Sequence, residues 1–247
     1  MADDLMDLID LIDSMNHMTG FILIDKPAGL TSHDVVDRVR ELTGERRVGH
    51  AGTLDPFATG LLIVAVGREA TKELGQYVGL DKTYEATLVL GATSDTFDRE
   101  GNIQYPITNN QTITQIKKTE IDRALNKFRG GYDQRAPIYS AKKIQGRKLY
   151  ELARQGTATQ EMRPIKHVTI SKLEAGEYVW PRLKIEVDCS SGTYIRSLAD
   201  DIGRELDCGA YLDELRRTRI GTFKIDQATP LAQLTPEVIH RQCQTPS

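Results

Sequence analysis

Short apolar runs and alternating segments predict a protein of the α/β (α+β) class. Residues 20–25 and 61–66 are rich in Ile, Leu and Val and are too short for helices, so each predicts a buried strand. Residues 82–90 alternate polar and apolar side chains, which predicts a half-buried strand with Tyr84 on its apolar face. Further apolar runs predict strands at 168–173 and 183–189.

Helical spacing of apolar residues appears between these strands. The clearest helix is capped by Thr31 or Ser32, carries a stripe of valines and ends before Gly44. A second helix opens at the Gly-Thr-Tyr-Ile-Arg segment 192–196. The same spacing predicts further helical pieces at 69–78, 113–128, 150–155 and 212–219. Segments without a pattern are expected to form a flexible loop at 129–140 and a weakly structured end at 235–247.

A loop rich in Gly, Pro and Thr surrounds one carboxylate, Asp55, within residues 48–62. Proline restricts φ and glycine permits turns that other residues avoid, so together they favour a loop of defined backbone shape. The apolar run that follows anchors this loop to a core strand. One interpretation is that Asp55 caps a turn before Pro56, as is common for an Asp-Pro pair. The other is that the loop holds Asp55 for chemistry.

Composition is typical of a soluble globular protein. The 247 residues are 39% apolar and 27% charged, and no apolar stretch is long enough to cross a bilayer. The N-terminus is acidic, whereas a secretory signal begins with basic residues. Three widely spaced cysteines without CxxC spacing predict neither a disulfide framework nor a zinc site, so we expect a reduced cytoplasm.

Charge is distributed unevenly along the chain. The net charge is −3, but residues 1–18 hold five aspartates and no Lys or Arg, which leaves +2 for the remainder. One basic patch holds six cations within twenty residues: Arg135, Lys142, Lys143, Arg147, Lys148 and Arg154. Such a patch is suited to phosphates, although a solvated basic face explains the charges equally well.

Several chemistries lack the residues that they require. The chain contains no GxxxxGK[ST] phosphate loop, no GxGxxG dinucleotide motif, no HExxH or other metal-ligand spacing among its five histidines, and no GxSxG elbow. The remaining hypothesis is that Asp55 acts as a nucleophile or base without metal or cofactor. A partly buried Asp needs a nearby cation to stay ionised, and Arg196 at its helix start is a candidate.

Five blocks of the chain together resemble the TruB-type tRNA pseudouridine synthases. They are GFILIDKPAGLTSHDVV, VGHAGTLDPFATGLL, GLDKTYEATLVLGATSDTFDREG, APIYSAKKIQGRKLYELARQG and CSSGTYIRSLADDIGRELDCGAYLDELRRTRIGTF. They stand in the family's order and cover most of residues 20–225. The resemblance implies the pseudouridine synthase fold, with a mixed, mainly antiparallel central sheet flanked by helices and an inserted RNA-binding thumb. It also implies isomerisation of the T-loop uridine of tRNA, without a cofactor or a metal.

The same resemblance assigns roles to individual residues. Asp55, in GTLDP, would be the catalytic nucleophile, and Arg196, in GTYIR, would pair with it. Tyr84, in KTY, would stack on the target uracil and act in proton removal. His50 would help to open the T loop and line the substrate site. Three more residues match substrate-binding or RNA-contacting positions: Tyr194, Leu215 and Asp95.

The expected organisation is one catalytic domain between two short terminal segments. We expect an acidic, flexible extension at 1–18, the domain at 19–234 with a basic RNA-binding insertion at 128–156, and a C-terminal tail at 235–247 without a full PUA domain. The expected partner is the T arm of tRNA, with no membrane, in a cytoplasmic monomer. The alternatives on the same scaffold are a non-catalytic tRNA-binding or tRNA-folding chaperone and a synthase that acts on another RNA.

Overall fold

A computed structural model describes residues 18–105, 115–140, 143–144, 146–157, 159 and 162–244. Contacts divide the chain into two compact units: the described residues up to Leu80 together with those from Arg216 onward, and the residues Asp81–Leu215. Apart from Met18, the acidic extension predicted at 1–18 lies outside the described residues. None of the helices within the described ranges is long and apolar enough to cross a membrane.

The first unit combines strands and helices from both ends of the chain. The elements are β1 (Gly20–Lys26), α1 (Ser32–Thr43), β2 (Val48–Ala51), β3 (Thr59–Val66), α2 (Arg68–Val78), the end of β12 (Ala210–Ile220), β13 (Phe223–Lys224), β14 (Thr229–Pro230) and α6 (Pro236–Gln244). Strands β1 and β2 each pair antiparallel with β3, and β12 joins β3 in parallel. Strand β13 pairs with β12, and β14 pairs with β1.

Both faces of β3 are buried, as its continuous apolar run predicted. Leu62, Val64 and Val66 pack in one cluster with the valines of α1 and with Ile239 of α6. Leu61 and Ile63 belong to a second cluster, against which Leu74 and Tyr77 of α2 pack. The sheet of this unit therefore lies between helices.

Helix α1 begins and ends where the sequence predicted. The Thr31 hydroxyl accepts a hydrogen bond from the Asp34 amide, and the Asp34 carboxylate accepts one from the Thr31 amide. Gly44 ends the helix with φ +69°, a left-handed conformation that favours glycine. Val35, Val36 and Val39 form its buried face.

The second unit contains an antiparallel run of strands with two helices against it. Its elements are β4 (Lys82–Leu90), β5 (Thr93–Ser94), β6 (Ile103–Gln104), α3 (Lys118–Asn126), β7 (Gly130–Arg135), β8 (Lys143–Ile144), β9 (Arg147–Lys148), α4 (Leu149–Arg154), β10 (Ile165–Val179), β11 (Arg182–Cys189) and α5 (Ile195–Glu205). Across the sheet, the start of β12 is followed by β4, β11, β10 and β7. The pairs β4–β11, β11–β10 and β10–β7 are antiparallel. The predicted mixed, mainly antiparallel sheet flanked by helices is confirmed.

Four predicted elements differ from the structure. The helix predicted at 212–219 is strand β12, and the loop predicted at 129–140 contains strand β7, which pairs with Ile165–Ile170. The end predicted to be weakly structured contains α6, held by buried Ile239. The helix predicted at 113–128 is only Lys118–Asn126 within the described residues.

Strand β4 is also more buried than predicted. Only Glu85 of its nine residues is exposed, and the threonines Thr83 and Thr87 are buried like Tyr84. The reason is that β4 lies between β11 and β12 instead of covering one side of a core. Thr83 and Thr87 satisfy their hydroxyls by hydrogen bonds to Asp188 and Glu214.

Candidate active site

Asp55 lies in the loop between β2 and β3, in the first unit. Its side chain is half-buried, whereas Leu54 and Phe57 on either side are buried in the core. The Ala58 amide donates to the Asp55 carbonyl at 3.1 Å, which closes a turn across Pro56. Two apolar anchors and a closed turn therefore keep the carboxylate at the surface of a rigid loop.

Side chains from β1 and α1 hold the backbone next to Asp55. The Ser32 hydroxyl accepts from the Leu54 amide at 2.9 Å and donates to the Leu54 carbonyl at 3.2 Å. The buried Lys26 ammonium donates to the Pro56 carbonyl at 3.2 Å, and the Gly29 amide donates to the same oxygen at 2.9 Å. Both neighbours of Asp55 are thus tied to the core by hydrogen bonds.

Gly60 lets β3 approach β12 closely just after this loop. Its φ is +106°, and a Cβ atom there would lie 2.3 Å from the Arg217 carbonyl oxygen. We expect Gly60→Ala to lower the free energy of unfolding by at least about 2 kcal/mol more than Gly44→Ala, which keeps a left-handed φ but meets no atom within 4 Å. Urea denaturation of both variants measures this difference, and equal losses would contradict a steric role for Gly60.

His50 precedes the Asp55 loop at the end of β2, and its imidazole is half-buried. Burial lowers the pKa of His50 below 6.5, and the nearby His33 and Arg217 lower it further. Its Nδ1 atom is buried and has no hydrogen-bond partner within the described part of the chain. His50 is therefore a neutral, partly exposed ring beside the loop at neutral pH.

This lowered pKa predicts a pH dependence of stability. Because the unfolded chain takes up the His50 proton at a higher pH, the stability contributed by the neutral ring is complete above pH 6.5 and is lost as the pH falls through the folded pKa. NMR titration should place the His50 midpoint below 6.5. Between pH 5 and 8, the free energy of unfolding should depend less on pH in His50→Gln than in wild type. An unchanged dependence would show that His50 does not contribute to it.

Tyr84 and Leu215 are buried strand residues of the second unit. Tyr84 lies opposite Val187 in the β4–β11 register, and Leu215 lies on β12. Both are less than one-tenth exposed. Leu215 belongs to a strand and not to the predicted helix, and its role at the substrate stays a prediction.

Arg196 is buried at the start of α5, where the sequence placed it. Its Nη1 lies 3.3 Å from the Asp98 carboxylate and 3.3 Å from the Thr96 carbonyl, while Nη2 donates to the Tyr139 carbonyl at 3.1 Å. Asp98 also accepts from the Thr96 hydroxyl at 2.6 Å and from the Glu100 amide at 3.0 Å. A buried, hydrogen-bonded ion pair therefore fixes the Arg196 guanidinium within the second unit.

A buried amide holds the turn before Arg196. The Gln134 carbonyl oxygen accepts from the Tyr194 amide at 2.8 Å, and the Gln134 amide group donates to the Tyr194 carbonyl at 3.0 Å. The Ser197 hydroxyl donates to the Arg135 carbonyl at 2.8 Å. Strand β7, which the sequence pattern missed, thereby positions the start of α5.

Asp95 and the basic patch have different surroundings. The Asp95 carboxylate accepts from the amide and the side chain of Asn102 at 2.8 and 2.9 Å, so it closes the β5–β6 turn. Arg135 and Arg147 are exposed. Lys142 lies outside the described residues, and nothing is described of the side chains of Lys143, Lys148 and Arg154.

The structure adds supporting residues that the sequence pattern did not identify. Asp55 and His50 lie on one loop and its preceding strand in the first unit, whereas Tyr84, Tyr194, Arg196 and Leu215 belong to the second. Pairing of Asp55 with Arg196 stays a prediction. The supporting residues are Ser32, Asp98 and Gln134, and no spacing in the sequence distinguishes them from ordinary polar residues.

Comparison with known families agrees with the five sequence blocks. Residues 40–195 match the family model "TruB family pseudouridylate synthase (N terminal domain)", and residues 196–245 match the "tRNA pseudouridylate synthase B C-terminal domain". The chain belongs to the TruB family. Because the second match reaches residue 245, helix α6 falls inside the family's C-terminal region.

Relatives from the TruB family cover most of the chain. The tRNA pseudouridine synthase B of Protochlamydia amoebophila is 42% identical over 89% of this chain and 80% of its own length. The protein of the same name from Mycobacterium bovis is 46% identical over 87% of this chain and 71% of its own.

A solved structure shares the fold. The crystal structure of a Cbf5-Nop10-Gar1 complex contains a chain with a TM-score of 0.68 and 29% identity to this one. The match covers 90% of this chain but only 55% of that longer chain. The predicted pseudouridine synthase fold is therefore confirmed at the level of architecture.

Proposed function

We propose that this protein is a tRNA pseudouridine synthase that converts the T-loop uridine, position 55 of tRNA, into pseudouridine. The observation that carries the proposal is the half-buried Asp55 on a loop anchored at both neighbours, in a chain of the TruB family. Relatives 42 to 46% identical bear the name tRNA pseudouridine synthase B. A protein that only binds RNA has no need of a carboxylate held in this way.

The reaction is an isomerisation, so it only rearranges bonds within the uridine and consumes no second substrate. The Asp55 carboxylate attacks either C6 of the uracil or C1′ of the ribose. The N1–C1′ bond breaks, the base rotates while it is held, and a C5–C1′ bond forms. The bond between Asp55 and the uracil or the ribose then breaks, which releases the free carboxylate. C5 then loses its proton and N1 gains one, so atoms and electrons balance without a cofactor.

Other residues of the proposed site hold the base and its charge. Tyr84 stacks on the uracil and takes part in proton removal, and Arg196 keeps Asp55 ionised. The neutral ring of His50 faces the RNA and adds no charge. An uncharged ring is suited to insertion into the T loop, in the space that the extruded base leaves in the stack. Tyr194 and Leu215 line the substrate, and extrusion of the base costs a few kcal/mol.

The remaining RNA contacts are to the T arm and its phosphates. The basic patch is suited to the backbone, so tRNA affinity falls steeply as salt rises. Asp95 contributes least, since its carboxylate already serves the β5–β6 turn. We place the protein in the cytoplasm, where its free cysteines stay reduced, and we expect it to act as a monomer.

Tritium release from a tRNA transcript labelled at C5 of uridine tests the proposal. We expect one equivalent of tritium per tRNA, and none from a matched transcript with cytidine at the T-loop position. Binding without release from either transcript would favour a tRNA chaperone. Release that persists in the cytidine transcript would show that another uridine is the target.

A further inference from the structure

Arg217 is one of the largest fully buried side chains of the protein. It lies on β12, in register with Gly60 of β3, and is 1% exposed. Its Nε donates to the Leu61 carbonyl at 2.8 Å, and its Nη2 donates to the Gly52 carbonyl at 2.9 Å. One planar group thus joins the two ends of the segment that carries Asp55.

The acceptors of this guanidinium are neutral. Within the described part of the chain Arg217 makes no ion pair, although burial of a cation is costly unless an anion compensates it. An apolar side chain of similar length would fill the space at lower cost. Compared with such an apolar side chain, the arginine adds only its hydrogen bonds to the two carbonyl groups.

Those contacts complete the attachment of the loop. Ser32 and Lys26 hold the residues next to Asp55, whereas Arg217 holds Gly52 and Leu61. The fork of an arginine has donors at fixed angles, so it sets the separation of two carbonyls more strictly than a lysine does. Position errors of about 1 Å in a reacting group lower rates about 100-fold.

We propose that Arg217 is a positioning residue for Asp55, holding both ends of its loop so that the carboxylate meets the uridine in a reactive geometry. This inference rests on the proposed function. Arg217 acts through the backbone at Gly52 and Leu61. Its loss therefore affects the chemical step and not the binding of tRNA.

Single-turnover kinetics with Arg217→Met, Arg217→Lys and wild type test this role. Arg217→Met should lower the rate of the chemical step about 100-fold while the Kd for tRNA changes less than about threefold. Arg217→Lys should be intermediate, because one ammonium does not span both carbonyls. The control Arg38→Met removes an exposed cation from α1 and should leave both constants unchanged.

Two readouts do not depend on turnover. Hydrogen exchange at the Ala58 amide, which closes the Asp55 turn, should quicken in Arg217→Met, since the loop ends are released. The NMR titration midpoint of His50 should rise in Arg217→Met and stay near the wild-type value in Arg217→Lys, because only the former removes the charge. His33 also lowers the pKa of His50, but it is present in every variant and so does not affect the comparison.

The outcomes separate this inference from the proposed function. A folded Arg217→Met with a wild-type rate, or with a loss of tRNA binding equal to its loss of rate, would overturn the positioning role. Unchanged exchange at Ala58 would overturn it as well. If wild type releases no tritium but Ala58 exchange responds, the proposed function fails and the loop attachment by Arg217 stands.

Discussion

Replacement of Asp55 by asparagine is expected to abolish pseudouridine formation, with a residual rate about 10⁴-fold below wild type. Asparagine keeps the shape of the side chain but loses the negative charge and the oxygen that we propose as the nucleophile. The backbone contacts of Ser32 and Lys26 involve the neighbouring residues and survive the change. Single-turnover tritium release measures the rate, and filter binding measures the affinity for tRNA.

A matched substitution controls for loss of a surface charge. Asp37→Asn on α1 also removes one carboxylate, from an exposed pair with Arg40, and should retain the wild-type rate. The Kd of Asp55→Asn for tRNA should lie within a few-fold of the wild-type value. Residual turnover above about 1% in a sample free of wild type would show that Asp55 is not the nucleophile.

Replacement of Arg196 by methionine is expected to cost about 3–5 kcal/mol of unfolding free energy. Arg196 is 7% exposed and Asp98 is 4% exposed, so the substitution leaves a buried carboxylate without its ionic partner. Methionine fills much of the volume of the arginine side chain, so the lost free energy comes mainly from the missing charge and hydrogen bonds. Urea denaturation measures the change.

The Arg196→Met, Asp98→Asn double variant shows whether the stability lost in Arg196→Met comes from an unpaired charge or from poorer packing. Removing both charges should recover a large part of the lost stability, because no uncompensated carboxylate remains. It should not recover turnover, since the proposed site needs the guanidinium. In contrast, Lys184→Met breaks an exposed pair with Glu177 and should change stability little. If the double variant is no more stable than Arg196→Met, the loss of unfolding free energy comes from packing and not from the unpaired carboxylate.

Elements with continuous or strictly periodic apolar residues were predictable from local sequence. Strand β3 is buried on both faces, and α1 carries its capping residues at both ends, so pattern and structure agree. In β12, Leu212 and Leu215 are three residues apart, a spacing that fits a helix as well as a strand. Pairing with β3 and β13 decided between them.

The residues proposed to react come from the family resemblance. The GTLDP and GTYIR blocks pointed to Asp55 and Arg196, and their catalytic roles stay predictions. The resemblance pointed to Asp95 and not to Asp98, which lies in the same polar loop. Their difference arises from depth: Asp98 is buried against Arg196, whereas Asp95 serves an exposed turn.

The sequence by itself therefore determined the family, the principal strands and helices, and the carboxylate on its glycine-rich loop. Only the tertiary structure decided what holds that loop. Ser32, Lys26 and Arg217 reach it from α1, β1 and β12 respectively, which are distant from the loop along the chain. The physical reason is that such hydrogen bonds depend on which strands pair and how deeply a side chain is buried, and neither is encoded in local periodicity.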